Sequence, residues 1–87
     1  ILRASDHYFV LEGHQHAVSV LSLPNGIVIT GSQDKTLRLW FKGQLQKELP
    51  NAHDDIIREI CEVPGIGFTS CSNDETVKLW STDGSLL

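Results

Sequence analysis

The chain carries one residue pattern twice, at a spacing of about 40 residues. Residues 13–40 read GHQHAVSVLSLPNGIVITGSQDKTLRLW, and residues 52–80 read AHDDIIREICEVPGIGFTSCSNDETVKLW. The matching pairs are His14 and His53 at an offset of 39, then Pro24 and Pro64, Asp34 and Asp74, Thr36 and Thr76, and Trp40 and Trp80 at 40. The second copy therefore has one extra residue between its histidine and its proline. A period of this length, with a histidine near the start and a tryptophan at the end, is typical of a β-propeller blade.

Short apolar stretches alternate with turn residues along the chain, which predicts many short strands. Pro24-Asn25-Gly26, for example, is a strong tight-turn sequence. The predicted strands are Val18–Leu23, Ile27–Ser32, Thr36–Phe41, Gln44–Leu49, Ile57–Val63, Gly67–Cys71 and Thr76–Ser81, with Ser85–Leu87 beginning another and Tyr8–Glu12 preceding them. The predicted fold is all-β, a β-propeller fragment of about two four-stranded antiparallel blades. Residues 1–12 are expected to be the outer strand of a preceding blade, residues 13–51 a complete blade, and residues 52–87 a second blade truncated in its outer strand.

Charge and composition argue against some function classes. The 87 residues include 7 Lys and Arg against 11 Asp and Glu, a formal net charge of −4, which speaks against a nucleic-acid partner. No apolar run is long enough to cross a membrane. The chain begins at Ile1 and shows no signal-peptide pattern, so we interpret it as an internal fragment.

Histidines and cysteines offer two possible metal sites, and both are weak. His14-Gln15-His16 lacks a third ligand at a suitable spacing, and His53, Cys61 and Cys71 include no C-x-x-C pair. We therefore expect no metal and no cofactor. The two cysteines are expected to be reduced and buried in an intracellular protein, with a disulfide between neighbouring strands as the alternative.

The repeated residues resemble the WD-repeat family over nearly the whole chain. The resemblance implies that each blade is tied together by a hydrogen-bonded set of four side chains. These are His14, Thr30, Asp34 and Trp40 in the first repeat, and His53, Ser70, Asp74 and Trp80 in the second. A buried indole N–H needs an acceptor, a hydroxyl can accept it and donate to imidazole, and a carboxylate can hold the other ring nitrogen. Histidine, serine and aspartate also suggest a hydrolase triad. Because the set recurs at the blade period with a tryptophan each time, we expect a structural role, no catalytic residues and no enzymatic activity.

The same resemblance places the binding surface near the start of the first strand and the turn after the second strand of each blade. The residues expected on this rim are His16, Ser19, Gln33, Asp55, Arg58 and Asn73. Arg58 is the strongest candidate, because it interrupts an apolar stretch and arginine is enriched at interaction hot spots. A solvated charge, or an ion pair with Glu59 or Asp55, is the alternative interpretation.

Two longer stretches, LPNGIVITGSQDKTLRLW and FTSCSNDETVKLW, are similar to the propeller of the phospholipase A2-activating protein family, also called ubiquitin-fusion-degradation factors. The similarity includes Leu23–Gly31, the run from Ser70 to Asp74, and Ile57-Arg58. It implies a cytoplasmic or nuclear adaptor in ubiquitin-dependent protein degradation. The propeller would bind ubiquitin, and other regions of the parent chain would recruit a hexameric AAA segregase. A generic WD-repeat scaffold in another multiprotein complex is the alternative.

A two-blade fragment leaves apolar strand faces without neighbours, and repeat units usually need several neighbours to be stable. We therefore expect either further blades in a longer parent chain or association between copies of the fragment.

Overall fold

The computed structural model describes Gly13 and residues 18–87, with the backbone alone at Val18. The predictions made for Tyr8–Glu12, His14 and His16 lie outside these residues. The described part contains seven strands, which confirms the all-β prediction, and it includes no helix long and apolar enough to cross a membrane.

The strands form two antiparallel sheets that follow the order of the chain. The first sheet has four strands: β1 (Val18–Ser22), β2 (Ile27–Ser32), β3 (Leu37–Phe41) and β4 (Gln44–Leu49). The second has three strands: β5 (Ile57–Val63), β6 (Gly67–Ser72) and β7 (Val77–Ser81). A single bridge between Trp80 and Leu86 marks the beginning of a fourth pairing in the second sheet.

Some strands begin or end one residue away from the predicted position, because turn hydrogen bonds take over there. β1 ends before Leu23, whose N–H donates to the Ile27 carbonyl (2.8 Å) and whose carbonyl accepts from Gly26 (3.1 Å). β3 begins after Thr36, whose N–H donates to the Asp34 side chain (3.0 Å). The conformation of each tight turn therefore sets the strand ends more finely than the apolar pattern does.

The two sheets pack face to face through one apolar core. In the first sheet, the front face is the face that carries Leu21, Ile29 and Leu39. In the second sheet, it is the face that carries the equivalent residues one repeat later. The opposite face of each sheet is its rear face. The front face of the first sheet lies against the rear face of the second. A Cβ added at Gly31 would lie 2.9 Å from Ile60 Cδ1, so the backbone of β2 closely approaches the second sheet. The buried apolar residues of this core are Leu23, Ile29, Leu37, Leu39, Ala52, Ile57, Ile60, Phe68 and Trp80.

Gly31 in β2 and Gly67 in β6 are both buried, but an added side chain would meet different atoms at the two positions, which gives a prediction. A Cβ at Gly67 would overlap the backbone carbonyl oxygen of Trp80, whereas a Cβ at Gly31 meets the ends of side chains, Ile60 Cδ1 among them. Because backbone yields less than a side-chain terminus, we expect Gly67→Ala to destabilise the fold by about 3 kcal/mol and Gly31→Ala by about 1 kcal/mol. Urea unfolding measures both free energies, and equal losses would contradict the described packing.

Candidate functional site

A chain of hydrogen bonds crosses the second sheet from its third strand to the segment before its first strand. Trp80 Nε1 donates to Ser70 Oγ (2.8 Å), and Ser70 Oγ lies 2.7 Å from His53 Nε2. His53 Nδ1 lies 3.0 Å from Asp74 Oδ2 and 3.1 Å from Thr76 Oγ1. Because the Ser70 oxygen accepts the indole proton, the Ser70 hydroxyl proton is directed to His53 Nε2. The network therefore assigns the ring proton of His53 to Nδ1. The four residues expected to interact in this repeat are therefore brought together.

Asp74 receives hydrogen bonds at both carboxylate oxygens. Oδ1 accepts from the N–H (2.9 Å) and the hydroxyl (2.6 Å) of Thr76, and Oδ2 accepts from the N–H of Asp54 (3.0 Å) as well as from His53. The hydrogen bond from the Thr76 hydroxyl is the largest cause that holds the pKa of Asp74 well below its usual range, and partial desolvation opposes it. The carboxylate thus joins the β6–β7 turn to the segment that leads into β5.

The first sheet shows the matching arrangement where it is described. Trp40 Nε1 donates to Thr30 Oγ1 (2.9 Å), and Asp34 Oδ1 accepts from the N–H and the hydroxyl of Thr36. His14, the fourth member expected in this set, lies outside the described residues. Thr30, Asp34 and Thr36 have further interactions of their own.

The threonine of each set was not assigned a role from the sequence. Thr36 and Thr76 match at an offset of 40, which was the available signal, and each donates its hydroxyl to the aspartate two residues earlier. Ser72 Oγ adds an acceptor for the Asp74 N–H (3.1 Å), as Ser32 Oγ does for the Asp34 N–H (3.1 Å). Short polar side chains that bond to nearby backbone groups are a common way of fixing such turns.

The geometry of the second set favours a structural role over a catalytic one. Ser70 is 0% exposed and His53 1% exposed, so neither presents an atom to a substrate. The Ser70 oxygen already binds both the indole N–H and the imidazole, whereas a nucleophilic serine needs a free approach to its oxygen.

Five of the six residues expected on the rim lie at one edge of the two sheets. β1 and β5 begin at this edge and β2 and β6 end there, as the pairs Val18 with Ser32 and Ile57 with Ser72 show. Ser19 Oγ donates to the Arg58 carbonyl (3.1 Å) and thereby joins the two sheets at this edge. The five residues are Ser19, Gln33, Asp55, Arg58 and Asn73, and we call them the rim; His16 lies outside the described residues.

Arg58 forms a β-bulge in β5. It is the extra residue that the second repeat carries between its histidine and its proline. Ile57 pairs with Ser72 and Glu59 pairs with Cys71, so that the register of β5 shifts across Arg58. In the first sheet, Val18 and Ser19 pair with the equivalent residues without a shift. A bulge of this kind redirects a side chain and is common beside functional sites.

The guanidinium of Arg58 is exposed and has no hydrogen-bond or ion-pair partner among the described residues. The ion pair with Glu59 or Asp55 that the sequence left open is absent from this part of the chain. Glu59 Oε1 instead lies 3.8 Å from Cys61 Sγ, and Asp55 Oδ1 accepts the Ile56 N–H (2.7 Å). The charge at Arg58 is thus free to interact with another molecule.

The described residues give no support to the metal alternative that includes His53, Cys61 and Cys71. Both ring nitrogens of His53 have protein partners, both thiols are free, and Cys61 is exposed rather than buried as expected. In Gly13 and residues 18–87, no three histidine, cysteine or carboxylate side chains are grouped closely enough to hold a metal ion. The pair His14 and His16 lies outside these residues.

Comparison with known proteins identifies the repeat. Residues 5–40 match the family described as WD domain, G-beta repeat. The chain is 49% identical to ubiquitin homeostasis protein lub1 of Schizosaccharomyces pombe, over 95% of the chain and 17% of lub1, and 38% identical to protein DOA1 of Saccharomyces cerevisiae, over 85% and 16%. It is 43% identical to lissencephaly-1 homolog 1 of Paramecium tetraurelia, over 83% and 19%. The chain therefore spans less than a fifth of the length of each of these relatives.

Solved structures show the same architecture. The WD40 β-propeller domain of Doa1 superimposes with a TM-score of 0.75 and 32% identity, over 91% of this chain and 28% of that one. The computationally designed Ika4 protein superimposes with a TM-score of 0.78 and 28% identity, over 97% of this chain and 53% of that one. The two sheets are thus arranged as neighbouring blades of a β-propeller.

The shared oxygen of Ser70 gives a prediction about stability. Ser70→Ala leaves the buried Trp80 N–H without its acceptor, and such an orphaned donor costs about 1–3 kcal/mol. Adding Trp80→Phe removes the donor as well, so the double variant should lose less stability than the sum of the two single variants. Urea unfolding of the four proteins measures this coupling. Strict additivity would show that the two side chains do not interact.

The lowered pKa of Asp74 gives a prediction about pH. Between its lowered folded pKa and the ordinary carboxyl pKa of about 3.9, the unfolded chain binds more protons than the folded chain, so stability rises with pH in this range. The contribution of Asp74 is therefore complete above the ordinary pKa and is lost as the pH falls below it. Asp74→Asn should be less stable than the natural chain at pH 7 and should lose less stability on acidification to about pH 2. Unfolding free energies measured at both pH values test this, and identical slopes would contradict it.

Proposed function

The chain belongs to the WD-repeat β-propellers of the phospholipase A2-activating protein family, and on this premise we propose that it is a protein-interaction module whose rim binds ubiquitin. The observation that carries the proposal is the bulge at Arg58, at the edge where the two blades meet, whose exposed guanidinium has no partner among the described residues. The name of lub1, a ubiquitin homeostasis protein, supplies the choice of partner.

The rim has the physical properties of a recognition surface. Gln33, Asp55, Arg58 and Asn73 are exposed, and they are held by backbone hydrogen bonds, such as the one from the Asn73 N–H to the Ile56 carbonyl (3.1 Å). Because Arg58 has no internal partner among the described residues, a bound protein does not have to break an ion pair to reach it. Guanidinium groups bind carboxylates and carbonyl oxygens through two parallel hydrogen bonds, which adds geometric selectivity.

We further propose that the parent protein is a cytoplasmic or nuclear adaptor in ubiquitin-dependent degradation, which recruits an AAA segregase through regions outside this chain. The proposed module is not an enzyme: its histidine, serine and aspartate are used within the blade, and the rim offers a single free cation rather than a nucleophile with a base.

A generic WD-repeat scaffold is the second candidate. The 43% identity to lissencephaly-1 homolog 1 favours it, because this relative matches almost as well over a similar length of the chain. In that case the rim would bind a partner other than ubiquitin.

A titration of isotope-labelled ubiquitin with this chain, followed by NMR, tests the proposal. We expect concentration-dependent shifts at a subset of ubiquitin resonances, and Arg58→Ala should raise the Kd by about tenfold, a typical loss for a contact of this kind. Lys42→Ala is the control, because Lys42 lies in the β3–β4 turn at the opposite edge of the first sheet and its loss also removes one positive charge.

The two variants should unfold at similar urea concentrations, so that a difference in Kd reports the contact alone. Shifts that are absent at millimolar concentrations of the natural chain would favour the generic scaffold, and equal losses in the two variants would remove Arg58 from the interface.

A further inference from the structure

The backbone of Ala52 is held from both sides at the junction between the two sheets. Its N–H donates to the carbonyl of Lys35 in the first sheet (3.0 Å), and its carbonyl accepts from Lys78 Nζ in the second sheet (2.7 Å). Ala52 is buried, and it directly precedes His53 of the hydrogen-bonded set. One buried residue therefore links the β2–β3 turn of the first blade to β7 of the second.

Lys78 uses its positive charge on this carbonyl. It lies in β7 on the rear face of the second sheet, the face that packs against the first sheet, and its side chain is half-buried. In the described part of the chain, its ammonium has no carboxylate partner, and the Ala52 carbonyl is its hydrogen-bond acceptor. A partly desolvated charge is costly, and a hydrogen bond from a charged donor is stronger than one between neutral groups. The lysine therefore holds the segment before β5 more firmly than a neutral donor would.

The two hydrogen bonds of Ala52 fix the two halves of the rim relative to each other. Gln33 lies in the β2–β3 turn that also contains Lys35. Asp55 and Arg58 follow Ala52 along the chain, the first before β5 and the second within it. A shift of Ala52 would therefore move the rim residues of one blade against those of the other.

Lys35 offers its carbonyl from a conformation that is unfavourable for lysine. Its φ is 73°, in the left-handed region that residues with a side chain rarely adopt. Its N–H closes the turn by donating to the Ser32 carbonyl (3.2 Å). Such a conformation persists where the surrounding contacts stabilise it, and the hydrogen bond from Ala52 is one of these contacts. The turn that carries Gln33 thus depends on the position of Ala52.

The first repeat shows the same approach of a cation to the residue before the histidine. Arg38 and Gly13 occupy the positions of Lys78 and Ala52 one repeat earlier. A Cβ added at Gly13 would collide with Arg38 Nη1. The longer cation thus faces a residue without a side chain, and the shorter cation faces an alanine. This match in size indicates that the cation of each blade is selected to reach the segment that leads into its first strand.

We propose that Lys78 is a positioning residue of the rim. By holding the Ala52 carbonyl, it sets the spacing between Gln33 in the first blade and Arg58 in the second, and thereby the affinity of the rim for its partner. This inference rests on the function proposed above, because the partner concerned is the one that the rim binds. Lys78 acts on that partner through the backbone of Ala52 and not by direct contact.

The substitution Lys78→Met tests the proposal, because methionine keeps an unbranched apolar side chain and lacks the ammonium group. The variant should bind ubiquitin with a Kd raised about fivefold, a typical loss for a residue that acts on a site without touching its ligand. Its Ala52 amide should exchange with solvent at least about tenfold faster, relative to the most protected amides, because the segment opens locally once the charged hydrogen bond is lost. The Trp80 indole proton should still exchange as slowly as the most protected amides of the same variant.

Lys47→Met is the matched control. Lys47 also donates to a backbone carbonyl of the other sheet, that of Asp83 (3.3 Å), but Asp83 follows β7 at the edge opposite the rim. The control variant therefore loses the same charge and a hydrogen bond between the blades, and it should bind ubiquitin like the natural chain.

A double substitution tests the contact between the cation and Ala52. Lys78→Arg alone should weaken ubiquitin binding, because the longer side chain meets the Ala52 Cβ. Lys78→Arg combined with Ala52→Gly reproduces the pair of the first repeat and should recover most of the lost affinity. Because the two side chains are in contact, their effects on the Kd should not be additive.

An unchanged Kd in Lys78→Met, or the same loss in Lys47→Met, would overturn the proposal. If the natural chain binds no ubiquitin, the proposed partner is wrong, and the exchange rates then decide the role of Lys78. Faster exchange of the Ala52 amide in Lys78→Met would still support a positioning role at the rim, whereas an amide as protected as in the natural chain would exclude it.

Discussion

Each blade depends on a hydroxyl group that is buried beside a tryptophan. In the second sheet, the Ser70 oxygen accepts the Trp80 indole proton at 2.8 Å and approaches the His53 ring at 2.7 Å, which ties β7, β6 and the segment before β5 to one point. Without that oxygen, the buried indole donor has no partner, and unpaired polar groups in an apolar environment are costly. The imidazole then passes the constraint to Asp74, whose hydrogen bonds hold the turn between β6 and β7. A few polar atoms thereby hold together two strands, the turn between them and the segment that precedes β5.

The strands and their order were predictable because apolar runs and turn residues alternate so regularly. β2, β4 and β5 have the predicted bounds, and the other strands differ by about one residue at an end, next to the turns that join them. The second-repeat set of His53, Ser70, Asp74 and Trp80 followed from the resemblance to the WD-repeat family. Thr76 was missed, because its role depends on the conformation of the turn that carries it.

Arg58 shows where sequence reasoning stopped. The repeat alignment revealed one extra residue between His53 and Pro64, but an alignment of two copies does not say which residue is extra. Pairing in the sheet identifies it, since the register shifts across Arg58. The sequence also left open an ion pair with Glu59 or Asp55, and the direction of the neighbouring side chains decides against it. Glu59 lies on the front face near Cys61, and Asp55 bonds to the backbone of the following residue.

Two roles are divided within each blade: buried polar side chains hold the sheet together, and the exposed rim is the proposed recognition surface. The most direct test of this division is the exchange of the Trp80 indole proton with solvent, followed by NMR. If the proton is buried and bonded to Ser70, it exchanges when the whole domain unfolds, at the rate of the most protected backbone amides. Exchange as fast as in an unfolded peptide, under conditions where those amides remain protected, would contradict the structural role of the set.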